Sequence, residues 1–379
     1  MNLYKIHLIF KQYYIPILIA LASKIVVLFG IGGLGLYLIH NRGNINIWEL
    51  WNVWDAPHYL SVATFGYQKV GVEANFIIYL PLFPILIYIF KLLFQTSYLI
   101  SGYIVSLLAS ILLAIMLYKL TVIDYSKKIA LFAVLILFIF PTSFFLHIPY
   151  TESLFILLSV AAFYFAREKK YWISFIFIGL ATTTKVAGLA LFPAILTEIL
   201  VFDRQNFHKK NLVGKLTILF LGSVISVSGF IVYLLINYVL WGNIFQFTIF
   251  QKQNWYEDFA PFGQGLVNTY QSLSWRQGLE KLTLGYAQIA AFFFALVISI
   301  YVLMKIRLSY GLFMLVNLFF YYSMSYWICM PRYILTLFPM YIALALFFKN
   351  IFFRYFWILF SVILLFIFSL IFIQYGPVL

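Results

Sequence analysis

The chain has 379 residues, 65% hydrophobic and only 9% charged, with a formal net charge of +14. Soluble globular domains carry about 25% charged residues, so a soluble fold of this length is excluded. In a soluble protein such a charge would point to nucleic acid. Here it reads as Lys and Arg retained on the cytoplasmic side of a bilayer beside anionic lipid, with no nucleic-acid partner.

Apolar runs of about 17 to 25 residues recur from end to end, the length that crosses a hydrocarbon core of ~30 Å. Lipid forces backbone polar groups to pair internally, and the runs lack strand alternation. The expected fold class is therefore all-α, a polytopic integral membrane protein, with 1–379 forming a single membrane domain. The first run, near 13–39, follows Lys5 and Lys11. It is too long for a signal-peptide core and is expected to be a retained first helix. Inside it, Gly30-Ile31-Gly32-Gly33-Leu34-Gly35 spells G-x-G-x-x-G. A dinucleotide site needs a preceding strand and a βαβ unit; in a membrane span small residues instead let helices approach closely.

Further segments lie near 76–94, 97–118, 129–147, 153–166, 172–184, 189–201, 216–240, 285–304, 310–328, 334–348 and 355–373. If all cross from a cytoplasmic N-terminus, the clusters Lys119/Lys127/Lys128, Arg167/Lys169/Lys170 and Arg204/Lys209/Lys210/Lys215 fall outside, against the positive-inside rule. If 76–94 does not cross, all three move inside, together with Lys305/Arg307 and Lys349/Arg354. Pro81 and Pro84 also disfavour an uninterrupted helix there. That segment is therefore expected to lie at the outer interface. About eleven spanning helices remain, with outer loops at about 40–96 and 241–284.

Parity puts Asp55, His58, Glu73, His147, Glu152, Glu257, Asp258 and Arg332 on the outer side. Asp55, in Trp54-Asp55-Ala56-Pro57-His58-Tyr59, reads either as the N-cap of a surface helix or as a general base for a sugar hydroxyl. Trp51 and Trp54 read as interface-belt anchors or as a surface for stacking a sugar. Glu152, in Pro149-Tyr150-Thr151-Glu152-Ser153, is a helix-start acid or a substrate ligand near Asp55. Lys185 and Arg332 either snorkel to the interface or neutralise a departing lipid phosphate. Asp55, His58, His147 and Glu152 lack diagnostic metal spacing, and the single Cys329 rules out an internal disulfide and a multi-cysteine site; no metal or other cofactor is expected.

Six stretches, in order, resemble the PIG-V type of mannosyltransferase, the GPI mannosyltransferase 2 family with its prokaryotic relatives, within the GT-C superfamily. They are WDAPHYLSVATFGY (54–67), ANFIIYLPLFPIL (74–86), FPTSFFLHIPYTESLF (140–155), TTTKVAGL (182–189), WGNIFQFTIFQKQNW (241–255) and PRYILTLFPMYIALA (331–345). The resemblance implies a GT-C fold with juxtamembrane helices in the first outer loop. It implies transfer of mannose from a polyprenyl-phosphate donor to a lipid-linked glycan, glycolipid or protein acceptor at the extracytoplasmic face. Asp55 would be the catalytic base, and Trp54, His58, Tyr59, Tyr150, Glu152, Lys185 and Arg332 would bind substrate. Lys185 stands where the family usually has Arg, which keeps a point charge and loses bidentate contact. The alternatives are another polyprenyl-phosphate sugar or a polyprenyl-linked glycan transporter. Compact length and short loops favour a prokaryotic plasma membrane; a eukaryotic member would sit in the endoplasmic reticulum.

Overall fold

The computed structural model describes residues 3–39, 45–348 and 350–376; residues 40–44 of the first outer loop and Lys349 of the last basic cluster lie outside them. The fold is all-helical: among the described residues the only extended pairing is an isolated bridge between Phe259 and Met324. Helix α1 (Leu3–Ile25) continues through a π turn, Val26–Ile31, into α2 (Gly32–Leu38). A Cβ on Gly35 would come 2.1 Å from the Ile373 side chain, and one on Gly32 would meet Trp51 at 3.0 Å. These glycines lie in helical backbone and serve close packing.

Helix α3 (Ala56–Phe65) ends at Gly66, whose φ of 69° suits glycine. A 3-10 segment, Val72–Ile78, then meets α4 (Leu82–Phe94) at a 109° bend. The single interfacial helix expected over 76–94 is thus corrected to two pieces around a corner at Tyr79–Pro81. Pro81 has no amide hydrogen to continue a helical ladder, and Pro84 falls in the first turn of α4, where proline is tolerated. Ile85, Ile89, Leu92 and Phe94 leave α4 with an exposed apolar face, suited to lipid.

Next come α5 (Tyr98–Val122), α6 (Lys127–Phe138), α7 (Glu152–Arg167), α8 (Tyr171–Thr182) and α9 (Leu191–Thr197). Among the described residues five helices are long and apolar enough to cross a membrane unaided: Tyr13–Leu38, Tyr98–Val122, Leu212–Trp241, Gly278–Ile306 and Ile351–Ile373. The bent pair Val72–Ile78 and Leu82–Phe94 would make a sixth, and the other segments expected to cross are shorter or interrupted helices. The interruptions have a physical reason. Irregular backbone is tolerated at membrane depth only where protein encloses it and satisfies its polar groups. Between α6 and α7, Ser106 donates to Ile148 O at 2.7 Å, Ser110 to Leu146 O at 2.6 Å, and the Lys24 ammonium to His147 O at 2.9 Å. Thr142 likewise donates to Pro331 O at 2.9 Å, joining this break to the one before Pro339–Phe347.

Helix α7 is the central strut, packed against α5 and α8. Its sixteen residues span roughly 24 Å at ~1.5 Å per residue. Glu152 stands at its first residue and Arg167 at its last. At the Arg167 end, Arg167 pairs with Asp124, Arg307 with Glu198, and Lys169 with Asp203. The basic clusters therefore gather at the end opposite Asp55.

Candidate functional site

The loop carrying Asp55 is held from below. Trp54 sits at φ 59°, left-handed backbone that a bulky residue rarely adopts. This turn brings both of its neighbours to Tyr150, whose hydroxyl donates to Val53 O and accepts from the Asp55 amide, each at 3.0 Å. Tyr150 was expected to touch substrate, but it is fully buried and clamps the loop instead. Tyr59 is also buried, its hydroxyl facing Thr151 at 3.5 Å. Trp51 is no belt anchor: it is fully buried, stacked on Phe372 with centroids 6.4 Å apart. Half-buried Trp54 lies near Tyr375.

Asp55 occupies the N-cap position of α3 but makes no side-chain cap bond. Its carboxylate turns toward the protein: Oδ1 accepts from the Tyr79 hydroxyl at 3.1 Å and Oδ2 from Arg332 at 2.6 Å. The same guanidinium donates through Nε to Glu152 Oε1 at 2.7 Å. Lys185 Nζ reaches that oxygen too, also at 2.7 Å. Four of the sequence-derived site residues, 55, 152, 185 and 332, thus form one chain of ion pairs.

Glu152 is wholly buried, and a buried carboxylate persists as an ion only when paired and hydrogen-bonded. Two cations and the N-terminus of α7 supply that compensation. Its Oε2, however, has no partner among the described residues. Arg332 is further held over the Tyr150 and Phe145 rings, 4.7 and 5.0 Å from their centroids. The outer members remain reachable, with side-chain exposures of 19% for Asp55 and 17% for Lys185.

Sequence reading missed Tyr79. Its hydroxyl donates to Asp55 and, having one proton, accepts from His58 Nδ1 at 2.7 Å. His58 lies against the Phe76 ring, and burial lowers its pKa against the opposing pull of Asp55. His147 belongs elsewhere: it is buried and its Nε2 lies 2.8 Å from Ser23 Oγ. Among the described residues no three His, Cys, Asp or Glu side chains are grouped to hold a metal ion. The two site carboxylates are instead taken up by Arg332 and Lys185.

Beside Lys185 opens a cavity of about 210 Å³, walled by Phe247, Tyr321 and Tyr333 and bearing Gln251 and Glu257. Glu257, on the second outer loop, was assigned only to the outer side from sequence. Burial pushes its pKa up to about 7, and the nearby Asp55 charge adds to the effect. An accessible carboxylate, two cations and an adjoining cavity together suit deprotonation of a hydroxyl near a bound anion.

Residues 80–244, less than half of the chain, match the family described as dolichyl-phosphate-mannose-protein mannosyltransferase. That stretch holds Tyr150, Glu152 and Lys185 but not Asp55. Among curated proteins none matches this chain. The structure is similar to that of ArnT from Cupriavidus metallidurans bound to undecaprenyl phosphate, with a TM-score of 0.55 at 15% identity over 90% of this chain and 61% of that one. It is also similar to the Archaeoglobus fulgidus oligosaccharyltransferase in complex with zinc and sulfate, with a TM-score of 0.50 at 16% identity over 93% of this chain and 53% of that one. The chain thus spans about half to three fifths of these proteins. The likeness is one of fold: this is an all-helical membrane protein that shares the helical architecture of these two structures.

Proposed function

We propose that the protein is a membrane glycosyltransferase that moves a sugar from a polyprenyl-phosphate carrier to a glycan, glycolipid or protein acceptor, with Asp55 as general base. The observation that carries this reading is the accessible Asp55 carboxylate joined through Arg332 to the buried Glu152–Lys185 pair. The acceptor oxygen attacks the anomeric carbon while the bond from that carbon to the phosphate oxygen breaks. The electron pair leaves with the polyprenyl phosphate, and the hydroxyl proton passes to Asp55. Related sugar chemistry in hydrolases runs through an oxocarbenium-like state.

Charge on the departing phosphate is neutralised by Lys185 and Arg332. A bound phosphate also competes with Asp55 for Arg332, so donor binding frees Oδ2 for the acceptor proton. Glu152 keeps both cations charged and in place. His58 and Tyr79 orient the Asp55 carboxylate, while Tyr59 and Tyr150 support its loop.

Mannose is the sugar favoured by the match over 80–244 and by the PIG-V-like motifs. Undecaprenyl phosphate on ArnT favours a polyprenyl carrier. The lysine-rich end reads as cytoplasmic, which gives Asp55 to the extracytoplasmic face of a plasma membrane. The test is incubation of purified protein in liposomes with polyprenyl-phosphate mannose and candidate acceptors, with and without chelator. Product should form and should vanish in Asp55→Asn; undiminished turnover in that variant would overturn the assignment. Translocation of the lipid without product would favour a transporter.

A further inference from the structure

We propose that the cavity beside Lys185 is the subsite for the donor's sugar ring, and that Glu257, seconded by Gln251, recognises a hydroxyl of that sugar. This rests on the transferase reading and goes beyond it by naming residues that select the sugar.

The first argument is position. Lys185 lines the cavity and also bonds Glu152, so a phosphate held by Lys185 leaves its attached sugar at the cavity mouth. The second is chemistry. Gln251 Nε2 donates to Glu257 Oε2 at 2.8 Å, whereas Oε1 accepts no hydrogen bond from the described residues. Yet Glu257 is only 6% exposed. Its Oε1 is nonetheless not sealed away and lies in the cavity lining, so a hydroxyl entering the cavity can donate to it, whereas an apolar occupant would strand it.

The third argument decides between occupants. A prenyl chain has no hydrogen-bonding group and would seal Glu257 and Gln251 away from water unsatisfied. A sugar ring offers hydroxyls to these two and C–H faces to the aromatic wall, where Tyr321 stacks on Tyr333 at 4.5 Å. Ligand sites commonly combine an apolar lining with a few placed polar groups.

The wall is also preorganised. The Ser325 amide donates to Asp258 O at 2.7 Å, the Ser325 hydroxyl accepts from the Asp258 amide at 3.0 Å, and the Ala260 amide donates to Ser323 O at 2.9 Å. The residues flanking Glu257 are thereby tied to the 323–325 segment. A group held on such a support discriminates well, because a substrate lacking the matching hydroxyl leaves the protein's polar atom unpaired.

The test compares lipids that share a phosphate and differ in the sugar. Binding of polyprenyl phosphate, polyprenyl-phosphate mannose, glucose and arabinose, and monodeoxy mannose donors is measured for wild type, Glu257→Ala and Asp55→Asn in detergent or nanodiscs. Wild type should hold one sugar-bearing lipid at least about 10-fold more tightly than the bare phosphate lipid. Glu257→Ala should erase that preference while leaving affinity for the bare lipid unchanged, which doubles as its folding control. One deoxy donor should weaken wild type and cost the variant nothing further, the mark of a direct contact. The proposal is overturned if no sugar improves binding, if Glu257→Ala weakens all lipids alike, or if it leaves the preference intact. Asp55→Asn should keep the preference and lose transfer, so a failure of the base assignment shows separately.

Discussion

The two ends of α7 carry ion pairs of different character. At the Arg167 end each arginine is matched to one carboxylate through two bonds. Arg167 meets both oxygens of Asp124 at 2.7 Å, and Arg307 meets both oxygens of Glu198 at 2.5 and 2.7 Å. Ser309 also donates to Glu198. These fork-to-fork pairs are saturated. At the Glu152 end Arg332 divides its guanidinium between two carboxylates, one bond each. One oxygen of Glu152 stays without a partner among the described residues. Saturated pairs fasten helices together; an unsaturated set has capacity for a further charged or polar group. The difference sets a structural cluster at one end of α7 apart from the candidate site at the other without reference to any relative.

The sharpest way to break that contrast is Asp55→Asn. It should lower transfer by about 10²–10⁴-fold, the usual worth of a general base, with little change in thermal unfolding; a rate near wild type would remove the functional half of the comparison. Arg332→Met comes next. It leaves buried Glu152 with Lys185 as its remaining cation and should cost about 2–3 kcal/mol of stability together with measurable transfer, read by unfolding in detergent and by product assay. Lys185→Ala should raise the donor KM about tenfold with a smaller fall in kcat, as expected for loss of one charge contact of about 1.4 kcal/mol. At the other end, Arg167→Ala should cost only about 1 kcal/mol, because its Asp124 partner is 32% exposed. The folded fraction should keep full activity; a loss of kcat there would show that the two ends are coupled.

The smallest effect concerns pH. Glu257 has its pKa raised from 4.5 to about 7 by burial. Between those values the folded state binds more protons than the unfolded one, so stability falls as pH rises across that window. Unfolding followed from pH 4.5 to 8 should show this slope, and Glu257→Gln should flatten it.

Much of the site is legible because charge is scarce beside lipid. A carboxylate after the first span, a glutamate at a helix start and two cations in apolar surroundings stand out, since each is costly unless used. What joins them is not legible. Arg332 lies 277 residues from Asp55 and 180 from Glu152, and no local pattern encodes such a meeting. Tyr79 escaped because a tyrosine beside Pro81 in an apolar run reads as an interface aromatic. Glu257 escaped because burial of a loop acid depends on a segment some seventy residues on, at 323–325. The segment read over 129–147 stops as a helix at Phe138 for the same reason. Ser106, Ser110, Thr142 and Lys24 satisfy the broken backbone from afar, so hydropathy runs on where the helix stops.

The left-handed turn at Trp54 sets stability against precision. A tryptophan held there stores on the order of 1–3 kcal/mol of conformational strain, which glycine would release. Trp54→Gly relieves that strain but gives up the packing of a half-buried indole, and it lets the neighbouring carboxylate wander. The indole thus holds in place, by packing, a backbone turn that its own bulk disfavours.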